Sequence, residues 1–178
     1  AVKYNNYVNK RDTDKLDYDK SVEENKTNKA ENFKTQFTNI QSDYERSISD
    51  IETKADSLEN AISVLEAKGY KANANYYKEL AQISGDTITK NAGELTALQK
   101  KLQEGLDNGT IQVGTDSYYE MVNVIANVKK NIDEAALSQT QYLQKVRETN
   151  REIEKSARDA ISNLNSEAEF YKDILAYE

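Results

Sequence analysis

From Phe33 onward the apolar residues of this chain recur at steps of three and four: Phe33, Phe37, Ile40, Tyr44, Ile48, Ile51, Ala55, Leu58, Ile62 and Leu65. That period places them on one stripe of an α-helix. The paired steps of four at Ile40, Tyr44 and Ile48 read as a stutter, a local unwinding of the heptad. A glycine just past the last stripe residue is a common left-handed cap. The first core helix is therefore predicted over 31–68, ending at Gly69, with Tyr70 opening the turn. The stretch before it, residues 1–30, is polar, with Val8, Leu16 and Val22 as its only well-spaced aliphatics, and is expected to be a weakly structured or helical lead-in.

A second helix is predicted over 74–106. Tyr77, Ala81, Ile88, Leu95, Leu98 and Leu102 form one stripe, and Tyr76, Leu80 and Ile83 a second. Two stripes suit the middle helix of three, with a partner on each side. Gly85 and Gly93 lie inside it, and each costs about 1 kcal/mol against alanine, so a bend is expected near Gly85. Gly109 and Gly114 bracket the next turn, over which Ile111 and Val113 are expected to tuck back. The third helix is predicted over 118–175, opening with a candidate capping box of Ser117 and Glu120, with Thr115 as an equally good cap. Its stripe includes Met121, Ile125, Val128, Ile132, Ala135, Tyr142 and Val146 and continues through Ile153, Ile161, Leu164, Tyr171 and Leu175, interrupted by Gln139 and Thr149. Polar residues at such positions set register at a cost in stability.

The expected fold is thus all-α: an elongated, antiparallel, three-helix, coiled-coil-like bundle with staggered long first and third helices, residues 31–178 forming the unit. At 1.5 Å per residue the third helix spans roughly 90 Å and the second roughly 50 Å, so the third overshoots its partners. Such staggered ends are what tandem arrays use to interlock neighbouring units. The overshooting stripe at Ile153, Ile161, Leu164, Tyr171 and Leu175 predicts helix pairing and self-association through residues 150–178.

Composition explains why helices this long can form. The 178 residues include no proline, which would break the helical ladder, and only 6 glycines. Charged residues make up 31% of the chain and the mean hydropathy is -0.88, too polar for a large globular core but suited to a thin bundle. The net charge of -7 argues against a phosphate-neutralising surface, so no nucleic-acid binding is expected. No apolar run reaches the length of a membrane span. The chain opens with Ala-Val rather than methionine, and the expectation is an internal piece of a longer protein.

The same inventory points away from catalysis. There is no histidine, the commonest general acid–base, and no cysteine. The paired carboxylates Glu23–Glu24 and Glu152–Glu154 lie on predicted helix surfaces, where nothing suggests the burial that acid–base work needs. Glycines are too sparse for a phosphate loop, and no acidic loop has calcium-binding spacing. No cofactor, metal site or catalytic residue is predicted. The 12 tyrosines are the unusual feature. Tyr76–Tyr77 and Tyr118–Tyr119 each open a helix, and the plainer reading is an aromatic clasp at a bundle end rather than a binding surface.

Three segments carry a resemblance. They are Leu65 through Gly69-Tyr70 to Tyr76-Tyr77, Leu102 through Gly109-Thr-Ile111 and Gly114 to Tyr118-Tyr119-Glu120-Met121, and Ile161 through Glu167 and Phe170 to Leu175. In these turns and its C-terminal stretch the chain resembles tail tape-measure (minor structural) proteins of phages and prophages of Gram-positive bacteria. The resemblance implies a helical scaffold that sets tail length inside the tail tube during virion assembly. It implies tail tube subunits, tail assembly proteins and other copies of itself as partners, and a place in the virion tail after assembly in the bacterial host cytoplasm. The competing expectation from composition is a coiled-coil stalk or spacer of a bacterial surface or secreted protein.

Overall fold

The computed structural model describes residues 1–177. Among the described residues there are three α-helices and no strand: α1 (Val2–Ala67), α2 (Ala74–Asp107) and α3 (Asp116–Tyr177). The core-helix ends fall within two residues of those read from the apolar stripes, except at the start of α1. There the polar lead-in is helical from Val2, continuous with the core helix. Residues 2–30 contain neither glycine nor proline, so no local signal stops the helix from propagating backward from Phe33.

By its contacts the chain divides into two compact units. The first takes Ala1–Ile48 and Thr89–Ile132, and the second Ser49–Ile88 and α3 from Asp133 onward. All three helices contribute to each.

In the first unit Phe33 and Phe37 of α1, Leu98 and Leu102 of α2, and Met121, Ile125 and Val128 of α3 are buried in one cluster with Ile111. Gly105 stands where α2 meets Phe33: a Cβ there would lie 2.6 Å from the Phe33 ring and 3.0 Å from Ile111. Lys101 spans the same contact. Its Nζ sits 4.7 Å above the Phe33 ring and donates to Gln36 Oε1 at 2.8 Å, combining a cation–π contact with a helix-to-helix hydrogen bond. In the second unit Ile62, Ala72 and Leu80 are buried, with Leu58, Leu65, Tyr76, Tyr77 and Tyr142 packed against them.

The turns carry the backbone cost of ending such helices. Gly69, at φ 83, closes α1 in a Schellman arrangement: Tyr70 N–H donates to Leu65 C=O and Gly69 N–H to Glu66 C=O, both at 3.0 Å. Gly109, at φ 75, follows α2, and Ile111 N–H reaches back to Gly105 C=O at 3.0 Å. Ile111 is buried by this turn, but Val113 is not: it is exposed at the turn surface, contrary to the expectation that both tuck back. Gly114, at φ 87, is the residue before Thr115.

At the start of α3 the structure takes one of the two caps read from the sequence. The cap is Thr115, whose hydroxyl accepts from Tyr118 N–H at 3.3 Å. Ser117 lies inside the helix, and Glu120 forms an ion pair with Lys34 of α1 instead of reaching back to a cap amide. The capping box of Ser117 and Glu120 is therefore not formed. Thr115, two residues before Ser117, takes the cap position directly after the left-handed Gly114, and Glu120 finds a cation on a neighbouring helix.

Candidate interaction surface

Each unit contains a helical segment that continues a core face beyond the residues burying it. In the second unit Val146 of α3 is buried, and Lys71 pairs with Glu152 at 3.0 Å. Beyond Glu152 every α3 residue through Tyr177 is exposed. Ile153, Ile161, Leu164, Tyr171 and Leu175, the residues singled out for helix pairing, are between 57 and 71% exposed. Phe170 and Ile174 flank them, also exposed, with the Phe170 and Tyr171 rings edge-on at 5.9 Å. Glu178, the last residue of the predicted pairing segment 150–178, lies outside the described residues. In the first unit residues 2–29 of α1 are exposed except for Val8 and Val22, which are half-buried. Val2, Tyr4, Tyr7, Leu16 and Tyr18 are large hydrophobic side chains exposed there.

A monomeric soluble surface rarely leaves so many large apolar groups contiguous. Covering one such side chain contributes about 1.5–3 kcal/mol, so an unpartnered stripe of five is a strong driving force for association.

The tyrosine pairs divide between the two units. Tyr76 and Tyr77 are both half-buried against the second cluster. Tyr118 is half-buried against the first, with Tyr119 exposed beside it at a ring separation of 5.5 Å. These are packing roles. Tyr142 is tied further: its hydroxyl donates to Glu59 on α1, and burial followed by that carboxylate raises its pKa to about 12.

Two polar residues inside α2 escaped the sequence reading. Asn91 and Glu94 are almost fully buried, each 2% exposed. Burial, and secondarily the charge of Glu45, pushes Glu94 up to about 7. Leu80, Ser84, Asn91, Glu94 and Leu98 share one heptad-spaced line, and that spacing was the signal available for them. Among the described residues no group of three or more histidine, cysteine or carboxylate side chains is arranged to hold a metal ion, and no helix is long and apolar enough to cross a membrane.

No protein-family model, no curated protein and no solved structure matches this chain.

Proposed function

We propose that this chain is a non-catalytic, length-setting helical segment of the tape-measure kind, working inside a phage tail tube, and that its exposed C-terminal stripe is covered by a neighbouring helical unit. The observation that carries the reading is the stripe itself: Ile153 through Leu175 repeats the core pattern of α3 without a partner in the chain. A ruler needs a fixed rise per residue and ends that join, and uninterrupted helices of 66 and 62 residues supply the first.

The helix arrangement belongs to the same proposal. Within the first unit Phe33 meets Gly105 while Tyr44 meets Gly93, which supports α1 and α2 running antiparallel. Within the second unit Glu59 meets Tyr142 and Lys71, just past α1, meets Glu152, which supports α1 and α3 running parallel. Heptad spacing of the buried positions supports coiled-coil-like packing. Tail tube subunits and tail assembly proteins are the partners this reading gives it, and the virion tail its location.

An in-phase deletion of whole heptads from the parent tests the ruler. Tails measured by electron microscopy should shorten by ~1.5 Å per residue removed. Tails of unchanged length overturn the tape-measure reading.

A further inference from the structure

We propose that the exposed stripe of α3 is covered by the exposed start of α1 from a second copy of this chain, lying antiparallel on it. The inference rests on the self-association in the reading above and names the occupant.

Both segments are continuations of buried faces. Stepping back from Phe33, the face of α1 that enters the first core carries Tyr4, Val8, Arg11, Lys15, Tyr18 and Val22, and the only half-buried residues before Ala30 are Val8 and Val22 on this line. Stepping on from Val146, the buried face of α3 carries Ala157, Ile161, Leu164, Ala168, Tyr171 and Leu175. Helices pair along a seam when the spacing of their knobs matches. Read forward, the α1 line advances by 4, 3, 4, 3 and 4 residues, and the α3 line read backward from Leu175 advances by the same 4, 3, 4, 3 and 4.

That register sets two alanines of α3 against larger side chains of α1, Lys15 against Leu164 and Tyr4 against Leu175. Arg11 falls opposite Ala168 and Val22 opposite Ala157, while Val8 meets Tyr171 and Tyr18 meets Ile161. The long stem of Arg11 can lie over Ala168 with its guanidinium toward the flanking Glu167 and Glu169, the snorkelling expected of a cation at a seam.

Charge selects the direction. Residues 1–11 hold Lys3, Lys10 and Arg11 and no acid, whereas residues 165–177 hold Glu167, Glu169 and Asp173 against the single Lys172. An antiparallel pair brings these two ends together. A parallel pair would instead set residues 1–11 beside 154–164, where two bases and two acids cancel, and would lay the acidic 165–177 along the acidic stretch from Asp12 to Glu24. Opposed helix dipoles favour the same antiparallel choice. Because the surface on one copy differs from that on the other, the contact is heterologous and propagates unless it closes on itself.

Single cysteines can report the pairing, since the natural chain has none. Mixing V8C with Y171C under oxidised glutathione should give the mixed disulfide as the main linked product. Mixing V8C with I161C, opposed only in the parallel register, should give little. Equal yields from the two mixtures overturn the register and the proposal with it. Loss of the 8–171 disulfide, in a chain that still sediments as an oligomer dissociated by Leu164→Asp, overturns the occupant and leaves self-association standing. A chain that stays monomeric at tens of micromolar overturns both.

Discussion

Gln139 Nε2 donates to the Ala81 carbonyl at 3.2 Å, and the same nitrogen lies 2.9 Å from where a Cβ on Gly85 would stand. A polar residue on the α3 stripe thus reads the backbone of α2, and the glycine one turn further on leaves room for it. This gives Gly85 a packing reason, and α2 runs through it as one helix from Ala74 to Asp107. Gly85→Ala should gain about 1 kcal/mol of helix propensity only when the amide is removed. In the natural chain the gain should be smaller, because the amide must move. A double-mutant cycle with Gln139→Ala, measured by chemical denaturation, should give a coupling of about 0.5–1 kcal/mol, and strict additivity would contradict the contact.

Gly105 is the tighter position. An added methyl would meet the Phe33 ring at 2.6 Å and Ile111 at 3.0 Å, and neither neighbour is the free end of a flexible chain. Gly105→Ala should therefore destabilise by about 1–3 kcal/mol despite its better helix propensity. At Gly93 the nearest atoms belong to the Tyr44 side chain, at 3.3 Å and beyond, so Gly93→Ala should cost less. Thermal melts of the two variants give the order directly.

The sequence reading singled out Gly85 and Gly93 inside α2 and passed over Gly105, although a signal for it was there. Gly105 follows Leu98 and Leu102 at helical spacing, which places it on the seam and marks a close approach of two helices. The stripes also located the three helices, because a period of three and four over tens of residues has few other solutions. The two-unit division was not legible, since it depends on which distant segments touch. The cap was half legible: Thr115 and Ser117 stood as equal candidates, and only the tertiary contact with Lys34 decides where Glu120 goes. The exposed end of α3 was legible as a stripe without a partner, from helix lengths, whereas the start of α1 was read only as a polar lead-in.

Glu94 should make stability depend on pH. Its folded pKa is raised to about 7 from the ordinary 4.5 by burial and by Glu45, so the fold favours the neutral acid. The associated stabilisation is complete below about pH 4.5, declines as pH rises toward 7, and is gone above it. Glu94→Gln removes the titration. At pH 8 it should be more stable than the natural chain by on the order of 1–3 kcal/mol, and the advantage should vanish at pH 4. Denaturation at the two pH values checks the sign, and a natural chain that gains stability between pH 5 and 7 relative to the variant would contradict it.

The start of α3 separates two candidate caps. Thr115→Ala removes the hydroxyl that accepts from Tyr118 N–H and should cost about 1 kcal/mol. Ser117→Ala, inside the helix, should be neutral or slightly stabilising. Equal losses from both would restore the capping box that the structure lacks.

The central claim is that the α3 stripe beyond Glu152 seeks a partner helix. Sedimentation equilibrium of this chain at tens of micromolar tests it most directly. The account predicts a concentration-dependent mass above the monomer, which Leu164→Asp returns to the monomer. A strictly monomeric chain, with Leu164→Asp changing neither mass nor melting temperature, would contradict it.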